Sequence, residues 1–88
     1  MIYRVEYTNK AKKDLRRLPQ AIAENIILSI NEIKQDPYSH VKKIKGTNRY
    51  PLYTHRVGEY RAILDIQDDR MLILILETGH RGKIYRKY

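Results

Sequence analysis

Apolar and charged residues alternate through Tyr3-Arg4-Val5-Glu6-Tyr7, and this two-residue period predicts a half-buried strand. The period then lengthens. Thr8 is placed to N-cap a helix beginning at Asn9, on which Ala11, Leu15 and Leu18 share one face. Pro19 ends that helix or opens the next, because its ring removes the amide donor a helix interior needs. A second apolar stripe follows at Ile22, Ile26, Ile30 and Ile33, widened by Ala23 and Ile27. Asp36-Pro37 stops it, since the residue before proline avoids helical backbone. Two helices joined by a tight bend, each apolar on one side, form a hairpin that must cover another layer.

That layer is a sheet. Beyond a polar connection from Tyr38 to Asn48, strands are predicted from Tyr50 to about Arg56, from Tyr60 to Gln67 and from Met71 to Thr78. Val57-Gly58-Glu59 and Asp68-Asp69-Arg70 supply the turns between them. Gly79 is expected to break the third of these strands, and Lys83 to Arg86 to add a short last one. Consecutive hairpins give an antiparallel meander. The expected class is α+β: a strand, a helical hairpin, then a three- to four-stranded antiparallel meander, with the helices covering one face of the sheet. Residues 1–88 show no repeat, low-complexity segment or linker, so a single domain with a modest core is expected.

Charge sharpens this picture. Eighteen Lys and Arg against ten Asp and Glu leave a net charge of +8, with +2 on residues 1–36 and +6 on residues 37–88. A basic surplus gathered in the sheet half attracts polyanions, nucleic acid foremost. Absence of cysteine removes disulfides and thiolate metal sites and fits a cytoplasmic protein. Charges at Arg4 and Glu6 break any signal-peptide core, and the longest apolar run, Met71 to Leu76, is far short of the roughly 20 residues that cross a bilayer. No membrane partner is expected.

The candidate chemistry lies at the end of the chain. Gly79 to Tyr88 carries Arg81, Lys83, Arg86 and Lys87, one imidazole (His80) and two phenols (Tyr85 and Tyr88), with no acid. Metal-free cleavage of RNA needs such a mixture. The 2′-hydroxyl attacks the adjacent phosphorus and the 5′-oxygen leaves, so one group takes a proton, one supplies or stabilises a proton, and cations neutralise the phosphorane. Clusters of Asp and Glu for a metal route are missing from this element, and no cofactor is expected. Every aromatic residue is a tyrosine. Tyr3, Tyr7 and Tyr53 are expected in the structural core, and Tyr50, Tyr85 and Tyr88 are the candidates for stacking on a nucleotide.

The stretch Leu52-Tyr53-Thr54-His55-Arg56-Val57-Gly58-Glu59-Tyr60-Arg61-Ala62-Ile63-Leu64 resembles the central signature of the RelE/ParE toxin superfamily. So do Lys43-Ile44-Lys45-Gly46 before the sheet and His80-Arg81-Gly82-Lys83-Ile84-Tyr85 at the end. The resemblance implies a toxin of a type II toxin–antitoxin pair, opposed by a RelB-like antitoxin, with operator DNA bound only through that antitoxin. For the RelE branch it implies a ribosome-dependent endoribonuclease (an mRNA interferase) acting on mRNA in the decoding site; the ParE branch inhibits DNA gyrase instead. By resemblance, Arg61 clamps the phosphate, Arg81 stabilises the leaving oxygen or the transition-state charge, and Tyr85 orients the 2′-hydroxyl or stacks on a base. His80 is an acid–base candidate because its unperturbed pKa of about 6.5 suits proton transfer. The chain departs from ribonuclease members on the strand before the glycine turn: two lysines, two apart, are replaced by Leu52 and Thr54. Lys43, Lys45, Arg49, Arg56 or His55 could supply the missing cations, with Lys83 and Arg86 as further RNA contacts and His55 as a rival base. A non-catalytic RNA- or ribosome-binding module is the remaining alternative.

Overall fold

In the computed structural model of the protein, residues 2–44 and 51–88 are described; Lys45, Gly46, Arg49 and Tyr50, named above, lie outside them. The chain begins with β1 (Arg4–Tyr7), α1 (Asn9–Arg17) and α2 (Gln20–Ile33). A 3-10 turn at Pro37–Ser39 leads to β2 (Lys42–Lys43), β3 (Tyr53–Val57) and β4 (Tyr60–Gln67). A second such turn at Asp68–Arg70 leads to β5 (Leu72–His80) and α3 (Arg81–Tyr85). The sheet has five strands in the order β1-β5-β4-β3-β2, antiparallel except for β1, which lies parallel to β5.

Local chemistry sets the first helices. The Thr8 hydroxyl accepts the Ala11 N–H at 3.1 Å and starts α1, while extended backbone at Leu18 and Pro19 separates α1 from α2. Both helices lie on one face of the sheet. Ala11, Leu15, Ile26, Ile30 and Ile33 pack there on Ala62, Leu64, Ile73 and Ile75, flanked by Tyr3, Tyr7, Tyr53 and Tyr60. Each fully buried isoleucine stabilises the fold by about 1.5–3 kcal/mol relative to exposure. The α2 stripe is narrower than expected, because Ile27 points away from this core and is 42% exposed.

A bulge in β5 decides what the other face carries. Ile63 stands opposite Glu77 but Leu64 opposite Ile75, so Leu76 is an extra, unpaired residue. Helix α1 satisfies the groups this leaves over. Thr8 donates its hydroxyl to the Leu76 carbonyl at 2.8 Å, and buried Asp14 accepts the Thr78 N–H at 3.1 Å. The other Asp14 oxygen takes the Lys10 ammonium at 2.6 Å. Past the bulge the alternation is reversed, so Glu77 and Gly79 face away from α1 and α2.

Two expectations about this half of the chain are corrected. Gly79 does not break β5, which runs on to His80. Residues 83–86 add no strand: 83–85 belong to α3, and the fourth meander strand is β2, inside the polar connection. The far face is also not left bare. Helix α3 docks there with Ile84 buried close over Gly79, where a Cβ would stand 3.6 Å from the Ile84 side chain, an ordinary contact distance.

Candidate nucleic-acid interface

Strand register defines the face that α3 partly covers. Lys42 pairs with Thr54, Arg56 with Arg61, Arg61 with Gly79, and Ile63 with Glu77. Gly58, at φ +59, is the first of two turn residues between β3 and β4, the glycine position of a II′-type hairpin. That tight turn holds Arg56 and Arg61 directly opposite each other.

Arg61 is 8% exposed and has no carboxylate partner among the described residues. Its Nη2 donates to the Tyr85 hydroxyl, its Nη1 to the Tyr60 carbonyl at 3.4 Å, and its guanidinium carbon lies 5.3 Å from the Tyr85 ring centre. A buried cation is ordinarily paired with an anion. Here neutral oxygens and a ring face are its partners.

Arg81 stands at the same corner. Its backbone N–H donates to the Glu59 carbonyl at 2.9 Å, and its Nε lies 3.0 Å from Glu59 Oε2. Both side chains are half-exposed, so this pair contributes only about 0–1 kcal/mol and can open readily. His80 N-caps α3, its Nδ1 accepting the Gly82 N–H at 3.2 Å, and its ring meets Tyr60 edge-on at 5.6 Å. With Nδ1 an acceptor, the proton of the neutral ring is on Nε2. His80 pairs in register with Tyr60, on the α1/α2 side of the sheet rim, whereas Arg61 is on the α3 side.

The remaining sequence candidates divide. Arg56, Lys83 and Arg86 are exposed at or beside this face, Arg56 Nε reaching the Gly58 carbonyl at 3.3 Å. His55 is corrected: it is buried beneath α2, 2.7 Å from Ser29 Oγ and 3.4 Å from the His40 carbonyl, with no route to a phosphate on the α3 side. Lys43, exposed on the edge strand, pairs with Tyr53 and so takes the α1/α2 side; its neighbour Lys42 takes the other. Lys45 and Arg49 lie outside the described residues.

The end of the chain is anchored by a residue the sequence did not single out. Glu77 accepts from Tyr88 at 2.6 Å and from Lys87 at 2.9 Å. Burial raises its pKa, but those two donors, with the Lys10 ammonium 3.9 Å away, outweigh burial and hold the carboxyl below its usual range. Burial and the same bond push the Tyr88 phenol up to about 12. Tyr88, expected to stack on a nucleotide, is occupied in this anchor. Among the described residues, no group of three or more His, Asp or Glu is placed to hold a metal ion, and no helix is long and apolar enough to cross a membrane.

A helical hairpin on one face of a meander closed by a parallel first strand, with a cationic corner on the other face, defines a toxin-type α+β fold. Residues 5–85 match the family described as ParE toxin of type II toxin-antitoxin system, parDE, and the chain belongs to that family, within the RelE/ParE superfamily. It is 29% identical over 92 residues to Toxin RelG of Mycobacterium tuberculosis (strain ATCC 25618 / H37Rv), covering 99% of this chain and 100% of the relative. It is 21% identical over 83 residues to the mRNA interferase toxin RelE of Escherichia coli (strain K12), covering 94% and 87%. Among solved structures, a chain of the toxin-antitoxin complex RelBE2 from Mycobacterium tuberculosis superposes with a TM-score of 0.82 at 25% identity, covering 93% of this chain and 94% of that one. The protein is a RelE-like type II toxin.

Proposed function

We propose that the toxin is an endoribonuclease that cuts mRNA on the ribosome by metal-free attack of the 2′-hydroxyl, with a RelB-like antitoxin as its partner. The carrying observation is the Arg61 guanidinium, buried without a counter-ion and held by Tyr85. An uncompensated buried cation is tolerated where an anion is to be received, and a phosphodiester matches the donor fork of guanidinium. Arg61 then takes two phosphate oxygens. Tyr85, 56% exposed and bound to Arg61, orients the 2′-hydroxyl, whose proton passes by way of a phosphate oxygen to the departing 5′-oxygen. Arg81 releases Glu59 and neutralises the phosphorane and the departing 5′-oxygen. His80, on the other side of the rim from Arg61 and with Nδ1 engaged in the α3 cap, holds the start of the helix that carries Arg81 and Tyr85. The interferase relative and the toxin–antitoxin complex support the reaction class and the partner. Operator DNA is bound through the antitoxin alone, and action on mRNA places the toxin in the cytoplasm.

The test is cleavage of message on programmed ribosomes, at the magnesium that keeps them assembled, with the chemistry of the new ends read directly. Wild type yields a 2′,3′-cyclic phosphate end, and R61Q loses about 100-fold in rate, the scale of removing an electrostatic stabiliser. R61Q keeps or raises the melting temperature, because it deletes an unpaired buried charge. The family description favours one second reading, gyrase inhibition of the ParE kind. Intact message together with blocked DNA supercoiling would overturn the nuclease in favour of it.

A further inference from the structure

On the α3 side of the sheet, Lys42, Arg56 and Arg61 have no carboxylate within ion-pair distance among the described residues. Arg56 and Arg61 are directly opposite across β3 and β4, an arrangement in which like charges repel. Thr54 precedes Arg56 by two residues and faces the same way, and Lys42 is its partner across the edge pair. Lys42 and Arg56 therefore stand on two sides of the Thr54 hydroxyl. That hydroxyl is buried and has no hydrogen-bond partner among the described residues, and a buried unsatisfied polar atom costs about 1–3 kcal/mol. Of the acids of this face, Glu77 is held by Lys87 and Tyr88, and Asp65 accepts the Gln67 amide at 2.8 Å. Lys42, Thr54 and Arg56 are thus left as three neighbouring donors.

We propose that Lys42, Thr54 and Arg56 form a second phosphate subsite, which holds the backbone linkage next to the one gripped by Arg61. The subsite rests on the ribonuclease reading and gives the substrate its path, running from the Arg61–Tyr85 corner toward the β2 edge. Two residues along a strand span roughly 6.6 Å, about the separation of successive phosphates in a single-stranded chain. Lys42 supplies the point charge, Thr54 a neutral donor at close range, and Arg56 a guanidinium shared between the two linkages. An anion there also relieves the Arg56–Arg61 repulsion, so the subsite binds a backbone rather than a base.

Single-turnover cleavage on programmed ribosomes separates the possibilities. K42Q slows cleavage at subsaturating toxin about tenfold and leaves the saturated rate within about twofold, the signature of a lost phosphate contact. K43Q, which deletes the same charge one residue away on the opposite side, changes either rate by no more than about twofold. T54V raises the melting temperature by removing an unsatisfied hydroxyl, yet weakens apparent binding several-fold. A message with a neutral methylphosphonate at the linkage beside the cut slows wild type as K42Q does, and slows K42Q no further. If K42Q and K43Q behave alike, or T54V gains stability with no loss of binding, the subsite is wrong while the nuclease stands. If wild type leaves the message intact, the nuclease reading fails and the subsite goes with it.

Discussion

His55 shows how one residue's role follows from which side of a strand it takes. Tyr53, His55 and Val57 share a side by simple alternation, and Tyr53 and Val57 pack against the core. That alternation is legible in the sequence alone, and it puts His55 inside with Tyr53 rather than beside Arg61. Resemblance to a motif carries a residue to a position but says nothing about its face. Burial lowers the His55 pKa and the nearby His40 ring lowers it further, while the His40 carbonyl opposes them. Ser29 and His40 are the polar neighbours it has across β3. With the folded pKa below the unfolded value of about 6.5, the unfolded chain takes up the proton first as pH falls. His55 therefore supports the fold fully above that value and progressively less as pH drops toward its folded pKa. Urea midpoints measured at pH 7.5 and 5.5 should fall with pH for wild type, and fall less for H55Q. A midpoint that falls equally in both proteins would move the pH dependence to other groups.

At the scale of elements, the sequence was most legible where caps and periodicity agree. Thr8, Pro19 and the Ile26–Ile30–Ile33 stripe bounded α1 and α2, and β4 spans Tyr60–Gln67 as predicted. The end of the chain was not legible, for a physical reason. Helix α3 has five residues, too few for periodicity to register and too few to be stable alone. Its position comes from distant contacts: Ile84 over the bare Gly79, and Glu77 holding Lys87 and Tyr88. The bulge that turns Glu77 toward α3 is hidden in a continuous apolar run, where either parity looks equally buried. Because α3 carries Tyr85, this anchor also sets how firmly Arg61 is covered. E77Q should speed amide exchange in residues 81–88 while barely changing exchange in β4 and β5, as expected for a local opening. Lowering pH should act like the substitution. The Glu77 pKa is depressed in the fold, so its contribution is present above the unfolded carboxylate range and is lost as pH falls through the folded value. Uniform acceleration across the sheet would instead show that Glu77 supports the whole fold.

For the whole molecule, the balance of paired and unpaired charge matters more than any one contact. Asp14, Glu59 and Glu77 each have a cation within ion-pair distance, and Asp68 accepts from Tyr3 and Tyr38. Exposed Lys12, Lys13, Arg16 and Arg17 crowd α1 on one side of the sheet, while Lys42, Arg56, Lys83 and Arg86 lie on or around the other. At a net +8 the free toxin repels itself. Salt screens this repulsion over about 10 Å at 0.1 M, and the exposed ion pairs it also weakens contribute little. Raising sodium chloride from low to moderate concentration should therefore raise the melting temperature by a few degrees, about 1 kcal/mol for a domain of this size. The same change should weaken association with RNA, because each released counter-ion steepens the salt dependence. A partner rich in carboxylates should reproduce the stabilisation at low salt, and its effect should shrink as salt rises. If added salt instead lowers the melting temperature, attractive pairs outweigh the repulsion, and the free chain has no electrostatic need of a polyanion.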